Sequence, residues 1–176
     1  VTAIDRAGFD GTNLTNRQTI FQANNPTTRA IHYGCRLVLD QNYLYASLGD
    51  RGARHDAQDP SRHAGAIIRL FHDGSVPADN PKRAGWAPEL FSKGHRNPQG
   101  LAINPETGAI WAHEHGPRGG DEINIIRAGQ NYGWPKVSHG EEYSGGSIGS
   151  GTSAPGLTDP VWIWTPSIAP SGMAFY

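Results

Sequence analysis

Apolar residues in this chain come in short bursts, separated by runs of Gly, Pro, Asn, Asp and charged residues. No stretch carries the 3.6-residue apolar period of an amphipathic helix, and the bursts have the length of strands. Arg36-Leu37-Val38-Leu39 and Tyr43-Leu44-Tyr45-Ala46-Ser47-Leu48 predict two strands around a turn at Asp40-Gln41-Asn42, with Gly49-Asp50-Arg51-Gly52 closing the hairpin. Residues 53–64 read as a polar loop, and Gly65 to Phe71 as a further strand ended by His72-Asp73-Gly74. Residues 75–87 are Pro-rich and irregular. Residues 1–30, polar and rich in Asn and Thr, read as loop or a weak edge strand.

The same order then recurs. Gly100 to Ile103 and Ala109 to Ala112 predict a strand and its return, followed by a glycine-rich loop at 116–120 and a strand over Glu122 to Arg127. Leu37 superimposes on Leu101 and Tyr45 on Trp111, with only a small difference in turn length. Ser171-Gly172-Met173-Ala174-Phe175-Tyr176 echoes Gln99 to Asn104 and reads as the opening of a third copy. Trp162, Trp164 and Phe175 alternate as in a packed strand. Units of roughly 60–70 residues with several short strands each predict blades of a β-propeller, with a β-sandwich as the alternative. The chain starts at Val1 without an initiator Met and stops inside an apolar run. Residues 1–176 therefore read as a partial propeller domain truncated at both ends, holding two blades and the start of a third.

Composition agrees with a loop-rich all-β class: 36% apolar residues, 23 Gly and 13 Pro. Five Trp and six Tyr argue against disorder. With 18% charged residues and a net charge of -1, the chain lacks the basic footprint of a nucleic-acid or anionic-membrane binder. No apolar run approaches the ~20 residues of a membrane helix. Cys35 is the single cysteine, so no internal disulfide forms, and its apolar neighbours make it read as a small buried hydrophobe.

Loops of successive blades converge at one end of a propeller channel. His32 stands five residues before Leu37 and Arg96 five before Leu101, which places both side chains on the same rim. His32 suits general-base work, and Asp50, ending the return strand of the same hairpin, can accept from its other ring nitrogen. A solvated loop histidine is the alternative. Arg96-Asn97-Pro98 offers a fixed cation and an amide suited to carboxylates or a quinone oxygen, or else an arginine that braces its loop. Gly116-Pro117 can present consecutive carbonyls to hard calcium, and Glu122 adds a carboxylate or faces solvent. His113-x-His115 invites a zinc reading, but the spacing forces no third ligand. No phosphate loop, Gly-x-Ser-x-Gly elbow or dinucleotide fingerprint is present.

Taken together, His32 with Gly34-x-Arg36-Leu37-Val38, Gly94-x-Arg96-Asn97-Pro98-Gln99-Gly100, Glu114-His115-Gly116-Pro117-Arg118-Gly119-Gly120-Asp121-Glu122-Ile123-Asn124, Asn131-Tyr132-Gly133-Trp134-Pro135 and Ser171 to Tyr176 resemble the soluble PQQ-dependent sugar dehydrogenases, especially their aldose branch. The match runs in order from about residue 30 to the end. The resemblance implies a six-bladed propeller carrying pyrroloquinoline quinone (PQQ) and calcium (Ca2+), which oxidises the anomeric hydroxyl of aldose sugars to lactones. It implies His32 as base, Asp50 as its orienting acid, and Arg96 and Asn97 as PQQ contacts. It also implies Gly116 and Pro117 as calcium carbonyls, Glu122 and Tyr132 as a second calcium-associated pair, and Tyr143 as a PQQ contact. An external electron acceptor and a periplasmic or secreted location follow from the same resemblance, which leaves a homodimer open. The family's later basic residues that grip the cofactor lie beyond Tyr176. The rival readings are a non-catalytic propeller binding module and a metal-dependent propeller lactonase.

Overall fold

A computed structural model describes residues 1–176. Ten strands form three antiparallel sheets. Strands β1 (Ala3–Phe9) and β2 (Leu14–Gln22) make a hairpin. The first four-stranded sheet runs in order through β3 (Gly34–Leu39), β4 (Tyr43–Leu48), β5 (Ala66–Phe71) and β6 (Leu90–Lys93). The second runs through β7 (Pro98–Ile103), β8 (Ile110–Glu114), β9 (Asp121–Ile126) and β10 (Trp162–Trp164). A short 3-10 helix, Arg54–Gln58, interrupts the polar loop after β4. Each four-stranded sheet is a meander of consecutive strands, the construction of a propeller blade, without the strand exchange of a Greek-key sandwich.

The repeat read from the sequence holds in the strand register. Leu37 pairs with Ala46 as Leu101 pairs with Ala112, and Val38 with Tyr45 as Ala102 with Trp111. The β5 run Ala66-Ile67-Ile68-Arg69-Leu70 is buried on both faces, which explains its nearly continuous apolar character. Leu44, Ala46, Leu48, Ala66, Ile68 and Leu70 pack toward Ile4, Phe21 and Ala23 of the hairpin. The alternate residues Tyr45 and Ile67, with Phe91, pack against Leu101, Ile110, Ala112 and Ile126 of the second sheet. The first sheet is thus sandwiched, and its ends are held in register with the second.

Several expectations are corrected. Residues 3–22 hold a hairpin whose register shifts after Ile4 and after Arg6, invisible in a polar sequence because only Ile4, Phe21 and Ala23 of the first thirty residues are buried. β6, missed between irregular and loop residues, is four residues long. Ser171 to Tyr176 forms no strand, because no second strand lies beside it to pair, although Phe175 packs edge-on against Trp111. Trp162 is exposed, since β10 has only three residues and lies at the sheet edge. Cys35 is exposed as well: it sits with φ 70° at the irregularity between Gly34 and Leu37, where the pleat no longer turns it inward.

Candidate active site

The site forms where β4 ends and β7 begins. The Asp50 N–H donates to the Arg96 carbonyl at 2.8 Å, tying the two loops together. Gly49 lets the His32 loop cross here, because a Cβ at this position would stand 2.0 Å from the His32 carbonyl oxygen. His32 Nδ1 then lies 2.6 Å from Asp50 Oδ1. A carboxylate only accepts, so Nδ1 carries the hydrogen, and in the neutral ring Nε2 is the nitrogen with the lone pair. The Gly52 N–H donates to the same Asp50 oxygen at 2.7 Å, and the Trp134 indole donates to the other at 2.8 Å. Burial pushes the Asp50 carboxyl up, but the hydrogen bonds from His32, Gly52 and Trp134 and the His32 charge outweigh it and hold the group below its ordinary value.

Arg96 is buried but lines the same cavity as His32 and Asp50, a space of about 190 Å³ that Arg54, Pro117, Trp134, Glu142 and Tyr143 also line. Its Nη1 donates to the His115 and Gly116 carbonyls at 3.0 and 2.7 Å, and its backbone N–H to Glu114 Oε2 at 2.6 Å. Its Nε is buried without a partner. Asn97 does not line the cavity: its Oδ1 accepts from the Gly34 N–H at 3.2 Å and from Gln99 at 2.9 Å, bridging the two sheets. Tyr143 stands exposed at the rim.

A smaller cavity, about 20 Å³, adjoins the first through Arg96, Pro117 and Trp134 and is lined by Glu114, Gly116, Glu122 and Tyr132. The Asn124 amide donates to both Glu114 and Glu122 at 3.2 Å. Burial, and then repulsion from Glu114, pushes the Glu122 carboxyl up to about 8. The Tyr132 hydroxyl is committed elsewhere, donating to the Ile125 carbonyl and accepting from the Arg127 N–H, so only its carbonyl is left to face a cation. The loop 116–120 is clamped by Asp121, whose Oδ1 accepts from the Gly116 N–H at 2.9 Å. His113 is buried against Gly100 while His115 bonds the Pro170 carbonyl, and no cluster of metal-ligating side chains forms around them.

Residues 1–176 match the family model for glucose/sorbosone dehydrogenases throughout. The chain belongs to the glucose/sorbosone dehydrogenase family. It is 44% identical over 176 residues to aldose sugar dehydrogenase YliI of Escherichia coli, covering 97% of the chain and 47% of that protein. It is 38% identical over 135 residues to quinoprotein glucose dehydrogenase B of Acinetobacter calcoaceticus, covering 65% of the chain and 28% of that protein. The crystal structure of the soluble Escherichia coli aldose sugar dehydrogenase, in its apo form, superimposes with a TM-score of 0.94 at 44% identity over 99% of the chain and 52% of that one. The PQQ-bound aldose sugar dehydrogenase of Streptomyces coelicolor superimposes with a TM-score of 0.79 at 33% identity, over 98% and 49%. The chain spans about half the length of the Escherichia coli relative. Its two sheets are therefore adjacent blades of this family's propeller, and no helix is long and apolar enough to cross a membrane.

This member of the glucose/sorbosone dehydrogenase family also uses residues that the sequence reading gave no role. His95 is fully buried behind Arg96, stacked on Tyr132, with Nδ1 2.8 Å from Glu114 and Nε2 2.9 Å from Ser92 Oγ. Glu114 thereby fixes both the His95 ring and the Arg96 backbone. Arg54 forms a two-pronged ion pair with Glu142 across the cavity. Trp134 reaches Asp50 from 84 residues away. His95, Glu114 and Trp134 all lie inside the strings that carried the resemblance, which was their only signal.

Proposed function

We propose that the protein oxidises aldose sugars at the anomeric hydroxyl to lactones, with PQQ as oxidant and calcium beside it. The observation that carries this reading is the convergence of His32, Asp50 and Arg96 on one cavity. When bound, the quinone supplies a two-electron acceptor for the hydride of the anomeric carbon, and an external acceptor must then reoxidise it. His32 Nε2, left with its lone pair, takes the hydroxyl proton. Asp50 holds the tautomer and stabilises the imidazolium that results. Arg96 supplies a fixed cation on the same wall, already aimed by two carbonyls.

The residues present fit both groups. The Arg54 and Arg96 guanidiniums, the unpartnered Arg96 Nε and the flat Trp134 ring suit a planar polyanion. Arg96, Trp134 and the exposed Tyr143 would hold it, while Asn97 would act from behind by fixing the approach of the two blades. The Pro117 carbonyl, and the lone pair that Arg96 leaves free on the Gly116 carbonyl, suit a hard cation. Glu122, Glu114 and the Tyr132 carbonyl suit a second one, whose charge would relieve the repulsion between the two carboxyls. The test is dye reduction by the full-length protein with PQQ, calcium and a panel of aldoses. Aldose-dependent reduction is expected; no reduction with any sugar, together with no PQQ retained after dialysis, overturns the reading.

A further inference from the structure

Trp134 moves neither proton nor hydride, yet its seat is fixed from several sides. Its N–H donates to the Gly94 carbonyl at 2.9 Å, and its own carbonyl accepts from the Gln58 amide at 2.6 Å. Its ring lies 5.4 Å from the Arg96 guanidinium and 5.6 Å from that of Arg54, which Glu142 restrains in turn. From this seat the indole N–H meets Asp50 Oδ2, the oxygen that His32 does not use.

Asp50 is 1% exposed, so its second oxygen has no water to satisfy it. Both His32 and the Gly52 N–H gather on Oδ1. Without a donor on Oδ2 the carboxylate would be free to pivot and to offer His32 either oxygen at poor geometry. Indole is a donor only: it cannot offer a competing acceptor to the imidazole, nor hand Asp50 a proton. A serine or amide in its place could reverse the bond; tryptophan cannot.

We propose that Trp134 is the positioning residue of the His32–Asp50 pair, its indole N–H pinning Asp50 Oδ2 so that Oδ1 keeps His32 in the tautomer whose Nε2 accepts the proton. This rests on the reading of His32 as the base. The test uses the full-length protein carrying Trp134→Phe and, as an isosteric form that keeps the bicyclic ring, 3-benzothienylalanine incorporated at position 134. Both remove the N–H while keeping an aromatic face for Arg96 and Arg54. Turnover is expected to fall about tenfold in both, with PQQ binding retained in the benzothienylalanine protein, which keeps the whole bicyclic face. The acid limb of kcat is expected to move to higher pH, because Asp50 loses a bond that favours its charged form.

A readout independent of turnover is the 15N spectrum of His32 without cofactor, identified by its loss in His32→Gln. The unmodified protein should show the Nδ1–H tautomer alone, and the substituted ones a mixture. A lowered melting temperature with an unchanged acid limb and an unchanged 15N pattern overturns the proposal, leaving Trp134 as packing only. If Trp134→Phe does not fold, the benzothienylalanine protein decides. If the unmodified full-length protein oxidises no aldose, the base reading fails, and the 15N comparison still decides whether Trp134 sets the tautomer.

Discussion

His32 alone would be an ordinary loop histidine; the 2.6 Å contact to a buried Asp50 is what fixes which nitrogen is basic. His32→Gln keeps the size and a donor toward Asp50 but has no proton-accepting nitrogen. It should lower kcat by about 10³-fold with PQQ binding unchanged, measured by stopped-flow reduction and by absorbance of the retained cofactor. Near-normal turnover would remove His32 from the proton step. The pairing of His32 with Asp50, and their meeting with Arg96, was legible because equivalent offsets from Leu37 and Leu101 place residues at equivalent points of two repeats. Trp134 was not, because nothing in a sequence says which buried donor meets the second oxygen of a carboxylate 84 residues away. The same limit hid the commitment of the Tyr132 hydroxyl to β9, which leaves that residue only its carbonyl for a cation.

The turn from β8 into β9 is held by two neighbouring carboxyls that titrate in opposite directions. Burial raises Asp121, but donors from Ser167, the Ala169 N–H, the Gly116 N–H and the Ile168 N–H outweigh it and lower the group. Its stabilising effect is present above the ordinary carboxylate range and is lost as pH falls through the depressed folded value. Asp121→Asn turns one acceptor into a donor facing donors. It should cost about 2–4 kcal/mol in urea unfolding at pH 7 and flatten the acid side of the stability profile. Glu122 behaves in the reverse sense. Its folded value near 8 means that the folded protein keeps a proton which the unfolded chain releases above the ordinary value of 4.5. Stability therefore falls as pH rises between those values. Glu122→Gln should remove that fall in melting temperature between about pH 5 and pH 8, and should also reduce the stabilisation by added calcium. A calcium response as large in Glu122→Gln as in the unmodified protein would place the cation elsewhere. The strands themselves were legible here from alternation and glycine punctuation; the charges were not, since titration depends on burial that only folding creates.

At the scale of the molecule the first blade is a shared wall. Its β5 residues alternate between two different cores: Ile68 faces the β1–β2 hairpin and Ile67 faces the second blade, both fully buried. The all-β class, the two blades and their register were readable because each blade is local in sequence, with consecutive strands pairing. The hairpin over residues 3–22 was not, because its burial comes from a face of the first blade and shows in three dispersed apolar positions. This division makes a paired prediction. Ile67→Ala and Ile68→Ala delete the same atoms from equally buried sites, so each should cost about 2–4 kcal/mol in chemical denaturation. Their effects on the site should differ. His32 and Asp50 belong to the first blade and Arg96 to the start of the second, with the Asp50 N–H to Arg96 carbonyl bond as the link between them. A cavity at Ile67 loosens the interface that keeps those groups in register, whereas a cavity at Ile68 loosens only the hairpin on the far side. Measured on the full-length protein at 25 °C, well below melting, Ile67→Ala should lose turnover by about tenfold, as a small displacement of reacting groups does, while Ile68→Ala should stay close to the unmodified protein. Equal turnover in the two variants would mean that the loop bonds around Asp50 hold the site without help from the packing between blades.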